Sequence, residues 1–284
     1  MSAPLLDLST VTLLCIETRD PALAHFAIQK CTKQASFGKV VLITDLAKLS
    51  NRINDQTSNQ TEDQKVARLQ DIEYIQAPLI KTTKDYSDLL LTCLRQYVAG
   101  THVLIIQWDS FILKSELWIN DFLQYDYIGA VWPHHPDTPV GNGGFSLRSV
   151  KLLEALECST ISKRHPEDFC ICVDNKTTLV NQFGIRFAPP QVAEQFAVER
   201  SDWHPAFGFH GFFNFGKALS PEELSAFLDL LPDAYLGGVD TYDLIYSLQL
   251  DEKHSLAKKI INRLQFRWRM RKKYIRAKLG LKLG

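Results

Sequence analysis

The sequence predicts an α/β fold: a parallel sheet of nucleotide-binding type with helices on its faces. Two observations carry this. Short apolar runs rich in β-branched residues recur at 11–17 (VTLLCIE), 39–44 (KVVLIT) and 102–107 (HVLIIQ), each closed by polar residues. Between them lie stretches whose apolar residues repeat at helical spacing. Strands alternating with helices place the helices over the sheet, and ligands then gather beyond the carboxyl ends of the strands.

Residues 11–17 read as a buried first strand. Pro21 follows where a first helical turn tolerates it, and residues 22–34 continue as a helix. Residues 39–44 form the second strand. Residues 47–70 are dense in Asn, Gln, Thr and Asp and predict loop or frayed helix. A third strand is expected at 72–75, a helix at 86–98 and a fourth strand at 102–107. Beyond Asp109 the pattern loosens: a short helix at 118–124, a strand at 125–131 (YDYIGAV), a Gly-rich turn, another helix and a loop-rich stretch to about residue 216. With no repeat and no linker, residues 1–257 read as one domain, followed by a basic amphipathic tail, 258–284.

The charge distribution sets that tail apart. The net charge is zero, yet 11 Lys or Arg and no Asp or Glu lie from Lys258 onward. The 21 basic and 32 acidic residues before it give a net of −11. No N-terminal apolar run of secretory type stands at the start and no stretch approaches a membrane span, so a cytoplasmic protein is expected. Six cysteines without a CxxC pair read as reduced thiols, most of them buried.

Four segments hold residues suited to chemistry. Asp109 follows an apolar strand directly (LIIQWD), the point where a divalent cation bridging a diphosphate needs a hard oxygen ligand; a helix cap or a loop Asp reads the same way. Residues 141–148 (GNGGFSLR) hold three glycines in four, which lets backbone pass close to a ligand or simply turn. No GxxxxGK phosphate loop and no HExxH zinc motif occurs, so neither nucleoside triphosphate hydrolysis nor zinc hydrolase chemistry is indicated. Residues 165–168 (HPED) set Glu167 and Asp168 at a helix start, either for the helix dipole or as a general base. His210 sits between glycines among aromatics, as a structural residue or as a ligand for a transition-type ion. His204 and the His134–His135 pair lack metal-ligand spacing.

Together HVLIIQWDSFIL (102–113), YDYIGAVWP (125–133), VGNGGFSLRS (140–149), HPED (165–168), IRFAP (185–189) and FGFHGFFN (207–214) resemble a glycosyltransferase of GT-A architecture. More closely, they resemble a bacterial family of sugar transferases catalogued as a domain of unknown function. The resemblance spans roughly residues 10–216. It implies a Rossmann-type mixed sheet flanked by helices and metal-dependent transfer from a nucleotide sugar, a UDP-sugar by preference, onto a hydroxyl of a glycan or lipid-linked acceptor. Inversion of the anomeric centre and a role in capsule or lipopolysaccharide synthesis are the family expectations.

Residue by residue, Asp109 stands for the last acid of the family's metal motif, whose first acid is here Gln107. His210 completes metal coordination. Asn142, Gly143 and Gly144 line the donor sugar, and Asp168, paired with Glu167, is the favoured base. The ion is Mn²⁺ or Mg²⁺, with the His ligand leaning toward Mn²⁺. Thr18, Arg19 and Asp45, near the strand ends, are candidates for nucleoside contacts.

Two other readings stay open: a nucleotidyltransferase, although ETRDP (17–21) lacks the basic Gly-rich loop it would want, and a non-catalytic glycan-binding protein. The tail, with aromatic residues among Arg and Lys, fits an anionic membrane surface and a peripheral position on the inner membrane face, or else a helix packed on the body. Nucleic acid is disfavoured by the acidic body.

Overall fold

The computed structural model describes residues 4–50 and 72–280. The chain forms two compact units, Met1–His210 and Gly211–Gly284. That division lies ahead of the 257/258 boundary drawn from charge, because charge follows the surface while compactness follows packing.

In the first unit a six-stranded sheet runs in the order β3-β2-β1-β4-β7-β6. Its strands are β1 (Leu6–Ile16), β2 (Ala35–Thr44), β3 (Glu73–Gln76), β4 (His102–Ile106), β6 (Tyr127–Ile128) and β7 (Phe145–Ser149). The first four are mutually parallel, while β7 runs antiparallel to both β4 and β6. The sheet is therefore mixed, with its parallel half at the N-terminal end of the sequence. Residues 11–16 and 102–106 are buried throughout, as expected of strands covered on both faces.

Helix α1 (Pro21–Thr32) opens with Pro21 at its first position and with the Asp20 carboxylate accepting from Ala22 N–H at 3.2 Å. It lies against β1 and β2. Helix α2 (Thr83–Thr92) starts on a capping box: Thr82 Oγ1 accepts from Asp85 N–H at 3.2 Å and the Asp85 carboxylate accepts from Thr82 N–H at 2.8 Å. Leu89, Leu90 and Leu94 pack with Leu14, Ile16, Val41, Ile43, Val103 and Ile105 into one core. Each such side chain contributes roughly 1.5–3 kcal/mol by leaving water.

The sequence expectations hold best in this half. Most of the polar segment expected at 47–70 lies outside the described residues. Four expectations need correction. The helix expected at 86–98 stops at Thr92 and gives way to a 3₁₀ turn, Leu94–Tyr97. The helix expected at 118–124 is a pair of 3₁₀ turns, Ser115–Leu117 and Asn120–Gln124, and the strand at 125–131 shrinks to β6. Most consequentially, the residues after the glycines, read as turn and helix, form the buried antiparallel strand β7 before helix α3 (Val150–Glu157) begins on its Ser149 cap. Ser146, Arg148 and Ser149 are polar yet buried, so the hydrophobic pattern of a central strand is absent there.

A small second sheet, β5-β9-β8, is built from β5 (Ser110–Ile112), β8 (Ala197–Val198) and β9 (Gly208–His210). Ser110 pairs with His210 across the antiparallel β5–β9 ladder. Helix α4 (Glu167–Phe169) continues through a π-helical turn, Cys170–Asp174, toward α5 (Lys176–Phe183), and α6 (Pro190–Phe196) precedes β8.

The second unit is helical. It holds α7 (Phe215–Ala218), α8 (Pro221–Leu230), α9 (Val239–Leu250), α10 (His254–Arg263) and α11 (Arg271–Lys278). The basic tail thus folds as two helices with an extended link at Leu264 and Arg267. Leu256, Ala257, Ile260 and Leu264 are buried, and the Arg263 guanidinium caps α8 by donating to the Leu228 and Leu231 carbonyls. By contrast Trp268, Ile275 and Leu279 are 70%, 53% and 69% exposed. No described helix is long and apolar enough to cross a membrane.

Candidate active site

The end of β4 and the β5–β9 ladder decide where the candidate residues meet. After Ile106 the chain turns at Gln107–Trp108–Asp109 and enters β5. The turn is closed by Gln107 N–H donating to Ser110 Oγ at 2.9 Å and Ser110 N–H donating to Gln107 O at 3.2 Å. Because Ser110 pairs with His210, the ladder brings the imidazole to this turn. His210 Nε2 lies 3.6 Å from Asp109 Oδ1 and 3.2 Å from Gln107 Oε1.

The glycine segment forms the opposite wall. Gln107 N–H and the Ser110 hydroxyl both donate to Gly144 O, at 3.0 and 2.7 Å. Asn142 occupies left-handed space at φ 66°, a conformation Asn tolerates because its side chain bonds the following backbone. Its Oδ1 accepts from Gly144 N–H at 2.7 Å and Phe145 N–H at 3.3 Å. A Cβ on Gly144 would fall 2.2 Å from His210 Nε2, and one on Gly143 would fall 1.9 Å from Glu167 Oε1. Glycine is required at both positions because the His210 and Glu167 side chains occupy that space.

Glu199, absent from the sequence-derived candidates, stands on the far side of the imidazole, with Oε1 2.9 Å from His210 Nδ1. Its position one residue after β8 and its pairing through β9 could not be read from local sequence. Burial disfavours the charged imidazole, but the Asp109 and Glu199 carboxylates outweigh it and hold the His210 pKa well above its usual value. Burial also works against the Glu199 carboxylate, yet bonds from His210 and Asn142 bring its pKa below the usual range.

The two acids of HPED have different surroundings. Glu167 is buried and its Oε1 accepts from Arg148 Nη2 at 3.1 Å, while the fully buried Arg148 also donates through Nε to Ser146 Oγ at 3.1 Å and lies 5.3 Å from the Tyr127 ring centre. Asp168 is half-buried. Its Oδ1 accepts from Phe169 N–H at 2.8 Å, and no hydrogen bond engages Oδ2 among the described residues. Burial, then the neighbouring Glu167 charge, push the Asp168 pKa up. Of the pair, Asp168 has the free oxygen and the raised basicity of a proton acceptor.

Two cavities flank this cluster. One, of about 160 Å³, is lined by Gln107, Trp132, Asn142, Gly143, Gly144, Asp168, Glu199 and His210, among others. The other, of about 360 Å³, lies beyond the carboxyl ends of β1 and β4 against Glu17, Thr18, Arg19, Thr82, Tyr86 and Trp108. Gln107 borders both, donating through Nε2 to Tyr86 Oη at 3.0 Å. Of the three nucleoside candidates, Thr18 and Arg19 line the larger cavity. Asp45 lines neither: its Oδ1 accepts from the Ala47 and Lys48 N–H groups at 3.1 and 3.3 Å, as a helix cap does.

The donor set suits a divalent cation in chemistry. A carboxylate oxygen, an amide oxygen and Nε2 converge, and Glu199 on Nδ1 fixes the ring as carboxylates do behind metal-bound imidazoles. Among the described residues no group of three or more His, Cys, Asp or Glu is placed to hold one ion. Such an ion would therefore draw part of its shell from water and phosphate oxygens.

A model of the family described as "Protein of unknown function (DUF5672)" matches residues 70–210, which include the Asp109 turn, the glycine segment, HPED and His210. No curated protein matches the chain. Among solved structures the chain is similar to the mannosyltransferase PcManGT from Pyrobaculum calidifontis, determined with GDP-Man and Mn²⁺, at 14% identity and TM-score 0.43, over 64% of this chain and 55% of that one. It is also similar to the glycosyltransferase GlyE of Streptococcus pneumoniae TIGR4, at 12% identity and TM-score 0.35 over 62% and 44% of the two chains. For apo GlyE the values are 10% and 0.41 over 76% and 56%. The chain thus spans about half the length of these structures.

Proposed function

We propose that the protein is a metal-dependent glycosyltransferase that moves a sugar, with inversion, from a nucleotide-sugar donor to an acceptor hydroxyl. The observation that carries this reading is the junction at Gln107: a cavity beyond the strand ends meets an acid–imidazole–glycine cluster there. The larger cavity, beside Thr18 and Arg19, takes the nucleotide, UDP by preference. The glycine wall, whose backbone lets the His210 and Glu167 side chains close in on it, borders the space for the donor sugar.

Asp109, His210 and the Gln107 amide oxygen hold the divalent ion, Mn²⁺ rather than Mg²⁺ given the imidazole. When bound, such an ion stabilises the negative charge that gathers on the departing diphosphate. Asp168 Oδ2 takes the proton of the acceptor hydroxyl as that oxygen attacks the anomeric carbon; the bond from that carbon to the diphosphate oxygen breaks, and its electron pair leaves with the diphosphate. Glu167, bound to Arg148, positions α4 and raises the basicity of its neighbour. Glu199 holds the imidazole so that Nε2 faces Asp109.

A capsule or lipopolysaccharide acceptor at the inner membrane face suits the basic end of the chain. Trp268, Ile275 and Leu279 are exposed apolar residues interspersed with Arg269, Lys272 and Arg276. These residues rest on an anionic lipid surface in the proposed arrangement.

The test is a thermal-shift screen of nucleotide sugars with Mn²⁺, followed by donor hydrolysis. A ligand at a hundred times its Kd stabilises the fold by about 2.7 kcal/mol. A donor that shifts the wild type with Mn²⁺ supports the proposal; a complete panel without any shift or hydrolysis rejects it.

A further inference from the structure

Trp132 lines the smaller cavity beside Asp168, Gly143 and Gly144. It sits on a short hairpin closed by the Val131–Val140 bridge and by Trp132 N–H donating to Pro139 O at 2.7 Å. The hairpin carries Pro133, Pro136 and Pro139, which restrict its backbone. Phe169 and His135, neither of which lines the cavity, back the indole with ring centres 5.0 and 5.4 Å away. A Cβ on Gly141 would fall 2.2 Å from the indole ring, so the backbone there is in close contact with it.

Two features turn this ring from packing into a ligand surface. Trp132 is half-buried, and its indole N–H makes no hydrogen bond among the described residues and is not a buried unsatisfied donor, so the edge is open to a ligand. Phe169, which supports the indole, directly follows Asp168, so the ring and the carboxylate with its unengaged oxygen belong to one braced wall. A flat aromatic face with a donor at its edge complements a pyranose, whose axial C–H groups form an apolar face rimmed by hydroxyls. The cavity, at 160 Å³, is smaller than the roughly 300–1,000 Å³ typical of whole-ligand pockets, so an acceptor ring rests on its Trp132 edge and leaves the glycine side to the donor sugar.

We propose that Trp132 is the stacking platform for a pyranose at the receiving end of a glycan acceptor, with its indole N–H donating to an acceptor oxygen and its ring turning one hydroxyl toward Asp168. This rests on the transferase reading and adds the acceptor's chemical class to it. A lipid alcohol or a protein hydroxyl has no such face to offer.

The experiment is saturation-transfer NMR of full-length protein with methyl glycosides of glucose, galactose, mannose and N-acetylglucosamine, on wild type, Trp132→Phe and Trp132→Leu. At least one glycoside is expected to receive saturation on its ring C–H protons, to keep it with Trp132→Phe and to bind at least tenfold more weakly to Trp132→Leu, which retains apolar bulk without an aromatic face. No signal on wild type, or equal signals on wild type and Trp132→Leu, overturns the proposal. A parallel thermal-shift arm with nucleotide sugars and Mn²⁺ is expected to read the same for all three proteins. If no donor shifts the wild type, the transferase reading fails while the glycoside arm still reports on Trp132.

Discussion

Asp109 Oδ1 lies 3.6 Å from His210 Nε2 because Ser110 and His210 are register partners across the β5–β9 ladder. The residue before one strand and the last residue of the other are thereby held in place by backbone bonds, independently of any ion. Asp109→Ala and His210→Ala are each expected to reduce Mn²⁺-stimulated donor hydrolysis by about 100-fold or more, a loss of some 2.7 kcal/mol in the barrier. Mn²⁺ affinity measured by electron paramagnetic resonance should fall with it; unchanged affinity in both variants would remove the ion from this site.

Gly144→Ala should displace His210, since the new methyl would enter the imidazole's volume. Overpacking of this kind costs about 1–3 kcal/mol. Gly238→Ala is the steric control: nothing lies within 4 Å of its added carbon, and its loss, set by the N-cap position at the start of α9, should stay below about 1 kcal/mol. Urea midpoints of the two variants test the contrast.

The buried pair of Arg148 and Glu167 sets a second stability prediction. Arg148→Met leaves Glu167 buried without its 3.1 Å partner and should cost about 3–5 kcal/mol. Adding Glu167→Gln should recover part of that loss. A double variant no better than the single would show that the arginine acts by packing alone.

Asp168 links stability to pH with a definite sign. Its folded pKa is raised, so the fold favours the protonated acid: that contribution is fully present below the unfolded value and is lost as pH rises through the folded pKa. Asp168→Asn should therefore raise Tm at neutral pH while abolishing transfer and sparing donor binding. The wild-type rate should rise with pH along a limb set above the usual carboxylate range. His25 and His102 act in the opposite sense. Burial lowers both, so their contribution is present above 6.5 and is lost as pH falls through their folded values. Tm against pH in the Asn variant separates the two effects.

Full-length protein should co-sediment with vesicles containing phosphatidylglycerol and much less with phosphatidylcholine alone. Serine at Trp268, Ile275 and Leu279 together should abolish that binding, whereas Arg269→Glu with Lys272→Glu should weaken it in a salt-dependent way. Equal binding by all proteins would leave these exposed residues without a membrane role.

The parallel half of the sheet was legible because β1, β2 and β4 are apolar runs buried on both faces, where composition alone identifies a strand. Strand β7 was not, because Ser146, Arg148 and Ser149 are buried through hydrogen bonds rather than hydrophobicity. The candidate residues Gln107, Asp109, Asn142, Gly143, Gly144, Asp168 and His210 do line or border one cluster. Asp45 stands apart from that cluster as a helix-capping residue, and a strand-end Asp and a helix-capping Asp look alike in sequence. Glu199 needed the β8–β9 pairing, which leaves no local signature, whereas Trp132 stood within YDYIGAVWP beside three prolines with nothing local to mark its ring as lining a cavity.

Gln107 stands at the seam between the two cavities, where an acid would be expected from the resemblance. An amide neither gains nor loses a proton across the range in which proteins survive. Acidification that alters Asp168 therefore puts no charge on the Gln107 side chain, where a carboxylate in its place would titrate.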